Sequence, residues 1–198
     1  MNKGEITREA ILNSATAFIN LKGFRATSIN DLLAVTGVSK GSLYFHFPDK
    51  KSLGLAILEK AHADFLAFLT KYLSGDTPGE CLENFFNQAL AKHLATGFVG
   101  GCIWGNTALE MSDIDTSFAT ITEKHFDEWI GKIEEKVAAA QLTGEVRNDI
   151  LAKVLAVQIV ATIEGGIMMS RLKKDECPMR ECLDALRITM ELRVLSGV

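Results

Sequence analysis

Proline is scarce, with three in 198 residues. Because proline breaks helices, a chain with few breakers and abundant Ala, Leu, Ile, Lys and Glu is expected to be mostly helical. Sustained alternation of apolar and polar residues is missing as well, which argues against strands. The four cysteines, Cys81, Cys102, Cys177 and Cys182, show no CxxC spacing, and the N-terminus carries neither the apolar run nor the small-residue cleavage site of a secretion signal. Reduced thiols and a cytoplasmic protein are therefore expected. The longest uncharged stretch, residues 93–109, is interrupted by Gly97, Gly100, Gly101 and Gly105. It falls short of the roughly 18 consecutive apolar residues of a membrane span, so no membrane partner is expected. Enzyme signatures are lacking too. There is no P-loop, GxGxxG or HExxH, and His46, His62, His93 and His125 have no metal-ligand spacing to one another or to cysteine. No catalytic residue, cofactor or metal is expected.

What is present is enough apolar material for a core. Hydrophobic residues make up 47% and charged residues 23% of the chain, a balance that excludes a disordered polymer. Net charge is −4, from 21 Lys and Arg against 25 Asp and Glu, which speaks against non-specific coating of nucleic acid. The average hides an asymmetry. Residues 1–51 hold 7 basic and 4 acidic side chains, whereas residues 52–198 hold 14 and 21. The N-terminal quarter is the part suited to face phosphate.

Helical spacing of Ala10, Ile11, Ala15, Phe18 and Ile19 predicts a first helix over 6–22, stopped by Gly23 in a left-handed conformation. Ser28-Ile29-Asn30-Asp31 has the form of a capping box and opens a short second helix that runs to about Val35. Gly37 permits a tight turn, Ser39 can cap a third helix from Lys40 to about His46, and Pro48 forces the chain to break there. Asp49 can then cap a long helix over about 50–72. Past the turn cluster Gly75-Asp76-Thr77-Pro78-Gly79, helical patterns resume at about 80–95, 105–112, 116–141, 147–173 and 179–195.

The second and third helices with Gly37 between them form a helix-turn-helix, a unit whose second helix can enter a major groove. Lys40, Gly41, Ser42, Tyr44, Phe45 and His46 put small, hydroxylic, aromatic and cationic groups on that second helix, and Lys50 opens the next. This is chemistry suited to phosphate and base edges. Gly41 costs roughly 1 kcal/mol in a helix interior relative to alanine, which fits close approach by another molecule or, alternatively, a helix–helix contact. Leu43 and Phe47 read as the buried side, against Leu32 and Leu33.

Thr27-Ser28-Ile29-Asn30-Asp31-Leu32-Leu33, Gly37-Val38-Ser39-Lys40-Gly41-Ser42-Leu43-Tyr44-Phe45-His46-Phe47 and Lys50-Lys51-Ser52-Leu53 together resemble the DNA-binding domain of the TetR family of bacterial transcriptional regulators. The resemblance covers roughly 5–65, with the recognition motif at about 28–47. It implies an all-α homodimer: an N-terminal three-helix head that binds a palindromic operator in double-stranded DNA, and a C-terminal helical domain over 76–198 that binds an inducer and dimerises. By the family pattern Tyr44, His46, Lys50 and Thr27 would contact phosphate, and Lys40, Gly41, Ser42 and Phe45 would face base edges. Asn30 has two readings, a base contact or a solvated helix residue. Lys51, where the family often has an acidic residue, would add positive charge near DNA.

The C-terminal half is less explicit. Residues 147–173 are apolar on more than one face (Leu151, Val154, Leu155, Ile159, Val160, Ile163, Ile167), and with Leu183, Leu186 and Met190 they would suit an intersubunit four-helix bundle through the last two helices, or simply a core. The stretch Gly100-Gly101-Cys102-Ile103-Trp104-Gly105 resembles a Gly-Cys motif in a subset of these regulators, some of which sense electrophiles or oxidants through that cysteine. Cys102 is thus either a thiol sensor or a small buried hydrophobe. Cys102, Trp104, Asn106, Phe126, Trp129 and Met168 are the candidate ligand residues, with Glu110 and His125 as further polar handles. The functional expectation is a repressor released from its operator by a small-molecule inducer. The alternative is a redox- or electrophile-sensing repressor acting through Cys102.

Overall fold

The computed structural model describes residues 2–194. Among them the regular structure is entirely helical: α1 (Lys3–Lys22), α2 (Ile29–Thr36), α3 (Lys40–His46), α4 (Lys50–Tyr72), α5 (Pro78–Leu94), α6 (Ile103–Met111), α7 (Thr116–Leu142), α8 (Ala152–Lys173) and α9 (Cys177–Thr189). No cysteine among the described residues forms a disulfide. The chain divides into two compact units, Met1–Asp64 with Cys102–Glu123, and Phe65–Gly101 with Lys124–Val198. Residues 102–123 thus cluster with the N-terminal helices, although they lie in the C-terminal half of the sequence.

In the first unit, local capping chemistry decides where the helices begin. The Asn2 side chain accepts the Glu5 N–H (2.9 Å) while Glu5 accepts the Asn2 N–H (2.7 Å), a reciprocal box that starts α1 three residues earlier than its apolar periodicity indicates. The Ser28–Asp31 box caps α2 in the same way, and Lys22 adds an ion pair to Asp31 at 2.8 Å. Bonds from Lys22 and Ser28 hold the Asp31 carboxyl far below the ordinary aspartate range. Its contribution is therefore present at neutral pH and is lost only as acid protonates the folded state. Ser28→Ala is expected to lower stability by about 1 kcal/mol, read from urea or thermal melts.

Gly37 is left-handed (φ 68°, ψ 9°) and ends α2. The Ser39 hydroxyl accepts the Ser42 N–H at 3.2 Å and starts α3, and Phe47 is extended (φ −139°) before Pro48. Gly37-Val38-Ser39-Lys40-Gly41 has the G-x-S-x-G spacing of a hydrolase nucleophile elbow. Here it joins two helices and Ser39 serves as a cap, whereas that elbow needs a strand-to-helix turn. Ile11, Leu12 and Ile19 of α1, Leu32 of α2, Leu43 and Phe47 beside α3, and Leu53 and Ile57 of α4 form one buried cluster, with Ile103 of α6 packed against it.

In the second unit, tertiary contacts move two helix ends. α8 begins at Ala152 rather than near 147 because the Gln141 side chain donates to Arg147 O (2.9 Å) and Ile150 O (2.7 Å), while Arg147 N–H donates to Met190 O (2.9 Å). These backbone groups are engaged outside any helix. α9 stops at Thr189 because the chain then turns back and Arg193 N–H donates to Glu145 O (2.8 Å). Residue 195, the expected end of the last helix, lies outside the described residues. The Glu145 carboxylate is fully buried and accepts hydrogen bonds from the hydroxyls of Thr77 and Thr143.

α8 packs chiefly on α9. By length and composition alone α8 could cross a membrane, a feature that Lys153, Gln158 and Glu164 hide from a count of consecutive apolar residues. One of its faces is instead ordinary core: Leu155, Ile159, Val160, Ile163 and Ile167 are buried, as are Leu183, Leu186 and Met190. Of the two readings, core fits these residues, which are already covered within the protomer. The large apolar side chains left exposed are Leu151, Val154, Val157, Met168, Met169 and Leu172 at α8 and Ile188 on α9.

Candidate nucleic-acid interface

The helix-turn-helix separates its residues cleanly by exposure. Leu32, Leu43 and Phe47 face the core, while Asn30, Lys40, Gly41, Tyr44 and Phe45 are exposed and Ser42, His46 and Lys50 are half-buried. Phe45 retains 81% exposure, and its ring meets the neighbouring His46 ring edge-on, 5.1 Å between centroids. Of the two readings of Gly41, the helix contact lacks a partner, because a Cβ placed there would meet nothing within 4 Å.

The electrostatics of this face are positive. α3 contains no acidic residue. The neighbouring carboxylates are engaged, Asp31 with Lys22 and Ser28, and Asp49 with the N–H and hydroxyl of Ser52 at the start of α4. The Lys40 ammonium lies 6.0 Å from the Tyr44 ring centroid. Lys50 is more constrained: its Nζ donates to Arg25 O at 3.3 Å and lies 4.5 Å from the Phe24 ring centroid. Burial pushes its pKa down while the Glu110 and Asp31 charges push it up. Thr27 is 1% exposed, and its hydroxyl donates to Gly23 O at 2.7 Å, so here it braces the α1–α2 loop.

The candidate ligand residues do not form one constellation within a unit. Cys102, Trp104 and Asn106 fall in the N-terminal unit. There Cys102 is the half-buried N-cap of α6 without a side-chain cap bond, Trp104 is buried beside His62, and Asn106 donates to Asn20 Oδ1 at 2.8 Å. Phe126 and Trp129 fall in the other unit, stacked 6.1 Å apart in an aromatic cluster with Phe65, Phe85 and His125. Met168 is on the exposed side of α8. Glu110, expected as a polar handle for a ligand, instead accepts hydrogen bonds from the backbone of Phe24 and Arg25. No local signal marks that contact, because its partners lie 85 and 86 positions away in sequence.

Two family models match the chain. One, described as bacterial regulatory proteins of the tetR family, matches residues 11–57. The other, described as the tetracyclin repressor-like C-terminal domain, matches residues 78–186. The chain belongs to the TetR family. A TetR transcriptional regulator from Chloroflexus aurantiacus J-10-FL is 31% identical and superposes with a TM-score of 0.88 over 98% of this chain and 100% of that one. An HTH-type transcriptional regulator in the lacX 3' region of Lactococcus lactis subsp. lactis is 30% identical over 93% of each chain. The HTH-type transcriptional repressor DhaR of Mycobacterium sp. (strain GP1) is 25% identical over 89% of this chain and 88% of its own.

This TetR protein is a DNA-binding transcriptional regulator, and regulators of the family bind operator DNA and act as dimers. Its Lys51 departs from the expectation set by the sequence. The Lys51 ammonium pairs with Asp115 at 2.8 Å, so the extra cation is neutralised within the protomer and does not strengthen the DNA-facing charge.

Proposed function

We propose that the protein is a repressor that binds a palindromic operator as a homodimer paired through α8 and α9, and that an inducer releases it. The observation that carries the DNA reading is the exposed face of α3: a bare Phe45 and Tyr44, an open Gly41 and Lys40, with no carboxylate among them. Two such helices would enter successive major grooves roughly 34–36 Å apart. Tyr44, His46 and Lys50 serve as phosphate contacts, and Lys40, Gly41, Ser42 and Phe45 face base edges, where Phe45 suits the only apolar group there, a thymine methyl. Asn30 is exposed at the start of α2 and able to reach a base. For the dimer, the support is the exposed apolar stripe of α8 and Ile188 of α9, together with Gly165, where a Cβ would meet nothing in the protomer and a second copy can approach closely.

The 23 residues of α4, about 35 Å long, run from the reading head into the C-terminal unit. A ligand that binds the DNA-incompetent state more tightly shifts the population by tilting this helix; equal affinity for both states would shift nothing. The test is fluorescence anisotropy on duplexes selected by the protein from a random pool. Tyr44→Ala is expected to weaken binding to all sequences alike, whereas Ser42→Ala and Lys40→Ala change the preferred sequence. Selection that returns no shared palindrome would defeat the reading. A second reading rests on Cys102 at the N-cap of α6, where alkylation or oxidation would drive release. A Cys102→Ser protein that still leaves DNA on electrophile treatment rules it out.

A further inference from the structure

The loop that joins α1 to α2 is gripped by two side chains from elsewhere in the N-terminal unit. From α6, the two carboxylate oxygens of Glu110 accept the backbone N–H groups of Phe24 and Arg25, each at 2.8 Å. From the start of α4, Lys50 Nζ donates to the carbonyl of Arg25 at 3.3 Å and rests 4.5 Å from the Phe24 ring centroid. That ring lies 4.7 Å from the Phe118 ring. A Cβ on Gly54 would come within 2.4 Å of it, so it has little room to shift.

The loop is shaped around the carboxylate. Gly23 has φ +92°, and a Cβ built there would lie 3.1 Å from Glu110 Oε1, so the carboxylate occupies the space beside it. Glu110 holds the N–H of Arg25, and Lys50 holds the C=O of the same residue. The position of the ammonium is thereby tied to the carboxylate through one residue of backbone.

We propose that Glu110 is a positioning residue for DNA binding: by fixing the Phe24–Arg25 backbone it sets where the Lys50 ammonium is presented to the DNA phosphate. The proposal rests on the reading of Lys50 as a phosphate contact. A lysine side chain carries considerable rotamer freedom, and one whose stem and one N–H are already placed loses less on binding. An ammonium has three donors, so the bond to Arg25 leaves others for phosphate. Glutamine at 110 is the diagnostic change. It keeps the size but has one acceptor, and its NH2 group would oppose the second backbone N–H. The Glu110 charge also counters the burial that disfavours protonated Lys50.

The experiment measures anisotropy of the full-length protein on its selected duplex across a salt series, for the native protein, Lys50→Ala, Glu110→Gln and the double variant. Lys50→Ala is expected to lower the slope of log K against log salt by about 0.9 for each phosphate that is no longer neutralised. Glu110→Gln is expected to lower that slope as well, and the double variant to bind no more weakly than Lys50→Ala alone. Glu110→Asp, with both acceptors on a shorter stem, should recover part of the slope, and it carries the comparison if Glu110→Gln melts too low to assay. Native affinity and slope in a folded Glu110→Gln protein, or fully additive losses in the double variant, would overturn the proposal and leave Glu110 as a loop brace. An unchanged slope in Lys50→Ala would instead remove the phosphate reading on which it stands.

Discussion

Ile188→Asp is expected to leave each protomer folded, abolish dimerisation and lower affinity for a two-half-site operator by about 10²- to 10⁴-fold, the advantage that linked binding of two heads confers. Ile188 is 76% exposed in the protomer, so the substitution removes little internal packing. On the proposed interface it joins Val154, Val157, Met168 and the 84% exposed Leu172, an apolar surface of the kind a lone soluble protein seldom leaves open. Burying a carboxylate there without a partner is strongly unfavourable. Arg187, the adjacent cation, is already held by Glu83 through two nitrogens at 2.8 and 2.9 Å and by Asp184 at 2.9 Å. Sedimentation or light scattering should report a monomer with unchanged helical content, and anisotropy should show residual half-site binding. A variant that remains dimeric would move the interface elsewhere.

The second large effect is on stability. Leu32→Ala is expected to cost about 3 kcal/mol and to lower the melting transition of the N-terminal unit by on the order of 10 °C or more. α2 has eight residues and α3 seven, too short to persist on local hydrogen bonding, so both depend on the core they share. Leu32 is fully buried in that core with Leu43 and Phe47. Its loss would leave a cavity between the helices that present the DNA-facing residues. Circular dichroism melts and urea titrations measure the cost, and a loss below about 1 kcal/mol would mean that the site collapses to fill the space.

The parts of this fold legible in the sequence are those decided within a few residues. Ser28 with Asp31, Ser39, Gly37 and Pro48 each act on backbone no more than a turn away, and all five shape the helix-turn-helix as their residue types indicate. Asp49 likewise accepts the Ser52 N–H at the start of α4. The start of α8 and the end of α9 were not legible. Arg147 meets Met190, and Arg193 meets Glu145, only after distant segments fold together, while the Gln141 side chain reaches backbone carbonyls beyond the next helical turn; these bonds override local periodicity.

The same distinction runs through the interface. Composition and spacing alone determined an all-helical chain with a cationic, carboxylate-free recognition helix, because helix propensity, capping and charge are properties of neighbouring residues. Tertiary structure decided which of those residues remain available. It left Phe45 bare, turned Thr27 inward to Gly23, and paired Lys51 with Asp115. It also covered Leu183 and Leu186 while leaving Ile188 open, although all three lie on the same helix. The grip of Glu110 on the α1–α2 loop belongs wholly to the second kind. A carboxylate finds two backbone N–H groups across more than eighty residues only when a folded core has already brought α6 beside them.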